Sequence, residues 1–139
     1  MKMKDILAKK NKKIITVDGH ATVSQAVAEM VSFDVGSVIV LMEGIVEGIF
    51  TERDAMRLWN NYDNVKDTPV MKFMTTNLII TNADDSIENA LSVMSQKNIR
   101  HLLIVDGRNL LGVLSMKDVV RMYAGDVIAN VQYVEKLFM

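Results

Sequence analysis

The chain has 139 residues, of which 50% are apolar, with a formal charge of −1 and no cysteine. This length corresponds to about one ordinary domain, and the lack of cysteine excludes disulfides, zinc–thiolate sites, iron–sulfur clusters and a thiol nucleophile. The balanced charge argues against a protein built to coat nucleic acid or an anionic membrane.

The sequence shows no membrane-spanning or secretory segment. The longest uninterrupted apolar run covers residues 38–42, whereas a helical span needs about 20 residues. The N-terminus is basic but lacks the apolar core and small-residue cleavage site of a signal peptide. The sequence therefore predicts a cytoplasmic protein.

The first elements in chain order are a short lead-in helix at residues 3–9, a basic run at 9–13 and a β-rich segment at 14–17. The basic run is predicted to be a solvated loop or, at most, a supplement to a phosphate site. A helix then begins at Thr22, which forms a capping box with Gln25. Its apolar residues recur at the spacing of one buried helix face, at Val23, Ala26, Val27, Met30 and Val31.

Two strands and a second helix complete this half. Residues 37–42 and 45–50 are predicted as strands joined by a Glu-Gly turn. Their uninterrupted apolar runs indicate burial on both faces. The second helix is predicted to run from Thr51 to about Asn60.

The same order recurs after a shift of 64 residues, which places residues 14–59 over 78–123 without a gap. The repeat includes conservative pairs such as Gly48-Ile49-Phe50-Thr51 over Gly112-Val113-Leu114-Ser115. The second copy predicts strands at 78–81, 101–105 and 110–114, with helices at 86–97 and 115–123. The fold class is therefore α+β (α/β-like), built from two β-α-β-β-α halves that share one core.

The domain bounds follow from this repeat. We predict a first half at 3–61, a linker at 62–69 that holds the only proline, and a second half at 70–124 that opens with a lead-in helix at 70–74. Residues 125–139 are predicted to form an amphipathic C-terminal helix. This helix either packs back on its own domain or offers a surface to a partner.

One chemical motif, Gly-h-h-Thr/Ser-x-x-Asp (h, apolar), occurs twice where a strand leads into a helix, at residues 48–54 and 112–118. A helix N-terminus suits a phosphate, the hydroxyl can donate to a phosphate oxygen, and the carboxylate can accept from two ribose hydroxyls. The alternative is a capping box that only satisfies backbone donors. Arg53 and Lys117 place a cation in the first helical turn, where the helix dipole disfavours it. This placement indicates an anion, or else two long side chains that extend into water.

The two halves, the repeated motif and the phrases Asp-Val-Gly-Ser-Val at 34–38 and Ile-Arg-His-Leu-Leu-Ile-Val-Asp-Gly at 99–107 resemble a tandem pair of cystathionine-β-synthase-type (CBS) domains. The resemblance implies that the halves pack about a pseudo-twofold axis and bind AMP, ADP, ATP or S-adenosylmethionine in two clefts between them. It implies that Asp54 and Asp118 hold ribose hydroxyls. Phosphate would be held by Thr51, Arg53, Ser115 and Lys117. The adenine and the rest of each pocket would be lined by Thr16, Val17, Val38, Thr81, Ile99, Arg100, His101 and Leu102.

The predicted function is a regulatory module that binds an adenosyl ligand, needs no obligatory cofactor and signals to an effector protein. The alternative is a structural homodimerisation module without a ligand. No catalytic or metal-binding set is found, and the isolated His20 and His101 are interpreted as structural or solvated. A homodimer is predicted, because the family pairs through helices and because apolar residues lie on or near the second helix of each half, at Met56, Trp59, Met122 and Tyr123. Nucleic-acid binding is not expected.

Overall fold

The computed structural model describes residues 1–10 and 13–123. The predicted C-terminal helix at 125–139 lies outside these described residues. The helices are α1 (Met3–Lys10), α2 (Val23–Phe33), α3 (Glu52–Arg57), α4 (Tyr62–Val65), α5 (Ile87–Lys97) and α6 (Met116–Tyr123). The strands are β1 (Thr16–Asp18), β2 (Ser37–Met42), β3 (Ile45–Thr51), β4 (Ile79–Asn82), β5 (His101–Asp106) and β6 (Asn109–Ser115). The predicted α+β fold, with the order β-α-β-β-α occurring twice, is confirmed.

The described residues form two compact units with the same topology. The first-repeat unit contains residues 13–78, and the second-repeat unit contains residues 1–10 and 79–123. Each unit has a three-stranded sheet, ordered β1-β2-β3 or β4-β5-β6, with a parallel first pair and an antiparallel hairpin. Val17 pairs with Val40, and Thr81 pairs with Ile104. Because both partners are shifted by the same 64 positions, the structure preserves the gapless sequence repeat.

Local sequence signals fix the ends of the long helices. Thr22 Oγ1 accepts from the Gln25 amide at 3.1 Å, and Gln25 Oε1 accepts from the Thr22 amide at 2.9 Å, which confirms the predicted capping box. At the other end, Asp34 closes α2 with φ 52° and Asn98 closes α5 with φ 53°. Asp and Asn tolerate this left-handed conformation better than other non-glycine residues.

The central strands β2 and β5 are buried on both faces, as their apolar runs predict. Val38, Ile39 and Val40 are all buried, and so are the matching residues of β5. One face of each sheet packs against the apolar stripe of the helix that precedes the central strand, through Ala26 and Met30 in the first-repeat unit. The matching core of the second-repeat unit includes Ile87, Ala90, Met94, Leu102, Ile104 and Leu114.

Each repeat packs against the lead-in segment of the other. Helix α1 precedes the first repeat in sequence, yet its Met3 and Ile6 are fully buried in the core of the second-repeat unit. The Met3 amide donates to the Asp85 carbonyl at 2.9 Å, and the Lys4 amide donates to the Ala83 carbonyl at 2.9 Å. The interpretation of residues 3–9 as a lead-in to their own half is therefore wrong.

The segment before the second repeat makes the matching contacts in the first-repeat unit. The Val70 amide donates to the Ala21 carbonyl at 2.7 Å, and the Met71 amide donates to the Gly19 carbonyl at 3.1 Å. These hydrogen bonds are the counterparts of those made by α1, because the acceptor residues in the first repeat lie 64 positions before the acceptor residues in the second repeat. The two lead-in segments thus make equivalent contacts, but each packs on the repeat that it does not directly precede.

Two helix predictions need correction. The helix predicted from Thr51 to about Asn60 ends at Arg57 and is followed by a 3-10 turn at Trp59–Asn61 and by α4. The asparagines here are poorer helix formers than Ala, Leu or Glu. The lead-in helix predicted at 70–74 is a 3-10 turn, Val70–Lys72, that directly follows Pro69.

Candidate functional site

The first copy of the motif forms a buried capping box at the start of α3. Asp54 Oδ2 accepts from the Thr51 amide at 2.9 Å and from the Thr51 hydroxyl at 3.0 Å. The Asp54 amide in turn donates to Thr51 Oγ1 at 3.1 Å. Asp54 is only 7% exposed. Asp54, the residue predicted to bind the ribose, is therefore a buried carboxylate that caps its own helix.

Thr75, which sequence analysis did not identify, completes the environment of Asp54. Its hydroxyl lies 3.0 Å and 3.1 Å from the two Asp54 carboxylate oxygens. The Thr75 backbone is fixed against β3, because its amide donates to the Ile49 carbonyl at 2.7 Å and its carbonyl accepts from the Ile49 amide at 2.9 Å. An exposed cation, Arg57, lies further away, at 3.9 Å from Asp54 Oδ1. No local pattern links residue 75 to residue 54, so only the fold reveals this contact.

The second copy of the motif has the same cap but a charged partner. Asp118 Oδ2 accepts from the Ser115 amide at 3.0 Å, and the Asp118 amide donates to Ser115 Oγ at 3.1 Å. Lys10 Nζ, at the end of α1, lies 3.0 Å from the same Oδ2 and donates to the Val113 carbonyl at 2.9 Å. The basic run at 9–13 is thus not wholly a solvated loop, since Lys9 and Lys10 belong to α1 and Lys10 is paired.

These contacts determine the ionisation of Asp118. Burial acts to raise the pKa of its carboxyl, but the hydrogen bond from the Ser115 amide and the contact with Lys10 outweigh burial, so the pKa lies below the ordinary value of 3.8. A carboxyl whose pKa is lowered by folding stabilises the protein above its unfolded-state pKa. This contribution disappears as the pH falls through the lowered pKa of the folded state.

We expect Asp118→Asn to weaken the loss of stability in acid. The urea midpoint of the wild type should fall as the pH drops below 3.8 towards the lowered pKa of Asp118, and that of the variant should fall less. Lys10→Met should act in the same direction, because it removes one of the groups that lower this pKa. Urea titrations across this pH range test the prediction, and an Asp118→Asn variant with unchanged acid dependence would contradict it.

The hairpins bring the first residues of β2 and β5 next to the two motifs. Ser37 pairs with Thr51, and His101 pairs with Ser115. The Met116 amide also donates to the Arg100 carbonyl at 2.8 Å. Arg100 is exposed and His101 is half-buried. Both residues, predicted as pocket-lining, therefore lie beside the second motif.

Several other predicted pocket residues occupy different environments. Val17, Val38 and Leu102 pack in the apolar cores of their own units, so their side chains do not form part of an open surface. Thr81 is also buried, and its hydroxyl donates to Asp85 Oδ2 at 2.9 Å. Thr16 is exposed on β1.

Three further predicted contacts lie nearer the surface. Ile99 is half-buried just after the end of α5. Arg53 and Lys117, the two proposed phosphate contacts, are exposed in the first turns of α3 and α6. Exposure fits either a site for an anion or side chains solvated by water, so the placement of these cations leaves both interpretations open.

The glycine of each motif is explained by packing of the lead-in segment. A Cβ atom at Gly48 would lie 2.8 Å from both the Thr75 carbonyl oxygen and Met74 Sδ, and one at Gly112 would lie 2.5 Å from Leu7 Cδ1. Such separations are shorter than van der Waals contact. Glycine is therefore required at position 48, where a backbone carbonyl lies too close for a Cβ atom, whereas at position 112 the Leu7 side chain would have to move.

We expect Gly48→Ala to destabilise the protein more than Gly112→Ala. The first Cβ meets a backbone carbonyl that is hydrogen-bonded to Ile49, whereas the second meets the end of a flexible leucine side chain. Overpacking of this kind costs about 1–3 kcal/mol, and Gly48→Ala should fall at the upper end. Urea denaturation of both variants tests this order, and equal losses would contradict it.

Other candidate chemistry is sparse. His20 Nδ1 lies 2.9 Å from Asp18 Oδ1, and both side chains are exposed, which agrees with the solvated interpretation of this histidine. Among residues 1–10 and 13–123, no group of three or more His, Asp or Glu side chains is arranged to hold a metal ion. In the same part of the chain, no helix is long and apolar enough to cross a membrane.

Comparison with known proteins identifies the family. The CBS domain model matches the chain twice, at residues 3–61 and 65–125. The chain belongs to the CBS-domain family. It is similar to the CBS domain-containing protein YhcV of Bacillus subtilis, with 33% identity over 105 residues that cover 76% of this chain and 75% of YhcV.

Two solved CBS structures share the fold and contain ligands. A CBS domain protein of Pyrobaculum aerophilum in complex with AMP has a TM-score of 0.69 and 23% identity, covering 85% of this chain and 89% of that one. The CBS domain pair of protein MJ0100, in complex with 5′-methylthioadenosine and S-adenosyl-L-methionine, has a TM-score of 0.73 and 23% identity, covering 91% of this chain and 98% of that one. At this level of identity, both matches establish the common fold.

Proposed function

We propose that this CBS pair is a regulatory module that binds an adenosyl ligand, namely AMP, ADP, ATP or S-adenosylmethionine, and signals to an effector protein. The observation that carries the proposal is the recurrence of one hydroxyl–carboxylate turn in both repeats. Its support is the presence of AMP, methylthioadenosine and S-adenosylmethionine in two proteins of the same fold. The proposal includes a cytoplasmic location and no catalytic activity.

In this proposal the Asp54 and Asp118 carboxylates accept hydrogen bonds from ribose hydroxyls. An ionised carboxylate offers about four acceptor positions. Asp118 receives its contacts on Oδ2, so it retains acceptor capacity for a diol. Asp54 is more buried and already accepts from two hydroxyls and one amide, so the Thr75 hydroxyl would have to turn away. Asp118 is thus the more accessible ribose acceptor.

Thermal stability of the full chain with adenosyl compounds tests the proposal. A ligand that binds only the folded state raises the melting temperature in a saturable way. Asp118→Glu should weaken this response with little loss of stability, because glutamate also serves as the third residue of a capping box but moves the carboxylate by one methylene. Asp63→Glu, a matched change at an exposed position on α4, is the control. A melting temperature that no adenosyl compound shifts would contradict the proposal.

The second candidate function is a structural homodimerisation module. It is favoured because the hydroxyl and the carboxylate of both motifs act as helix caps, and a capping role alone explains their presence without a ligand. A homodimer is also part of the first proposal, and exposed apolar side chains next to the second helix of the first repeat support it, with Met56 68% and Trp59 75% exposed. Light scattering should give twice the chain mass, and a monomer mass would contradict both forms of the dimer proposal.

A further inference from the structure

The two motifs differ in the charge that surrounds their carboxylates. Asp54 is contacted by the neutral hydroxyl of Thr75 at 3.0 Å, and its cation, the exposed Arg57, is 3.9 Å away, whereas the ammonium group of Lys10 contacts Asp118 at 3.0 Å. The Lys10 side chain is only 23% exposed and also donates to the Val113 carbonyl. The ammonium group is therefore held in place by two acceptors from the second repeat.

The aligned helix starts increase this difference. Glu52 in α3 corresponds to the neutral Met116 in α6. Each cation of α3, in contrast, has a cation at the matching position of α6. The second motif thus lacks one negative charge of the first and has Lys10 in addition. The surroundings of the second motif are therefore more positive than those of the first motif at neutral pH.

We propose that Lys10 makes the second motif selective for adenosyl ligands that carry phosphate, whereas the first motif prefers uncharged or cationic adenosyl ligands. This proposal rests on the proposed function, since it assumes that the motifs bind such ligands. An ammonium group has three donors, of which two are used for Val113 and Asp118, so the third is available to a phosphate oxygen. Loss of one such charge-assisted hydrogen bond to a phosphate weakens binding by about tenfold or more.

The test compares AMP with 5′-methylthioadenosine, which share adenosine but differ in the phosphate. Calorimetric titration of the full chain should show that Lys10→Met weakens AMP binding at one site about tenfold and leaves methylthioadenosine binding unchanged. Lys10→Arg keeps the charge and should retain the preference for AMP. Lys9→Met removes a charge from a neighbouring exposed position on α1 and should change neither affinity.

The other outcomes separate this proposal from its alternatives. Stronger binding of both ligands by Lys10→Met would overturn it, because Lys10 would then compete with the ribose for Asp118. Equal weakening of both ligands, or no change, would overturn it as well. If Lys10→Met unfolds, Lys10→Gln, which keeps a donor for the Val113 carbonyl without the charge, replaces it. A wild type that binds no adenosyl compound refutes the proposed function itself. A wild type that binds both AMP and methylthioadenosine without dependence on Lys10 refutes only the role of Lys10.

Discussion

Ile6→Ala is expected to destabilise the second repeat, although Ile6 precedes the first repeat in sequence. Ile6 is fully buried in the core of the second-repeat unit, and truncation of such a side chain costs about 2–5 kcal/mol. Amide hydrogen exchange should therefore accelerate at residues 79–123 rather than at 14–61. Exchange measured by mass spectrometry under native conditions resolves the two regions.

Val70→Ala provides the matched comparison from the other lead-in segment. Val70 is fully buried in the core of the first-repeat unit and makes the backbone contact that corresponds to that of Met3. We expect this variant to accelerate exchange at residues 14–61. Faster amide exchange of the first repeat in Ile6→Ala, or of the second repeat in Val70→Ala, would contradict the packing of each lead-in segment on the other repeat.

Asp54→Ala is expected to lower the free energy of unfolding by about 2–4 kcal/mol. The change removes a helix cap, worth about 1 kcal/mol, and leaves the Thr51 amide and the Thr75 hydroxyl without the carboxylate that they contact. A buried donor that loses its acceptor costs about 1–3 kcal/mol. Asp118→Ala should cost less, because its surroundings are more exposed and Lys10 can turn to water.

Urea denaturation of the two alanine variants measures this difference, with Asp63→Ala, at an exposed position on α4, as the control. A loss at Asp54 no larger than that of the control would show that the carboxylate is not needed for the cap. The burial of Asp54 also means that its stability cost is expected whether or not the residue binds ribose. Ligand binding by Asp118→Glu is therefore the sharper test of function.

The repeat and its elements could be predicted from the sequence because they depend on local patterns. The spacing of apolar residues identified α2 and most of its buried face, although Val31, predicted on that face, is 75% exposed. Thr22 with Gln25 identified its cap, and the uninterrupted run at 37–42 identified β2. These signals act over a few residues, within the range of one helical turn or one strand. The two chemical motifs were found in the same way, as seven-residue phrases that recur at a fixed shift.

The partners of the motif carboxylates could not be predicted, because they come from distant parts of the chain. Thr75 is 21 positions from Asp54, and Lys10 approaches Asp118 only because α1 packs on the second repeat. The sequence also did not show which repeat each lead-in segment covers. The side chains of Val38 and Leu102 lie in the cores of their units, in keeping with the burial that the apolar runs of β2 and β5 predict.

The two copies of one β-α-β-β-α half could be recognised in the sequence because apolar periodicity and helix caps act over a few neighbouring residues. Only the folded structure shows which lead-in segment completes each core and which group contacts the carboxylate of each motif. The reason is that a short segment is buried wherever an apolar surface matches it, and sequence order does not specify that surface. The small net charge of the chain therefore does not show that the two motifs differ. Asp54 is contacted by the neutral hydroxyl of Thr75, and Asp118 is contacted by the ammonium group of Lys10.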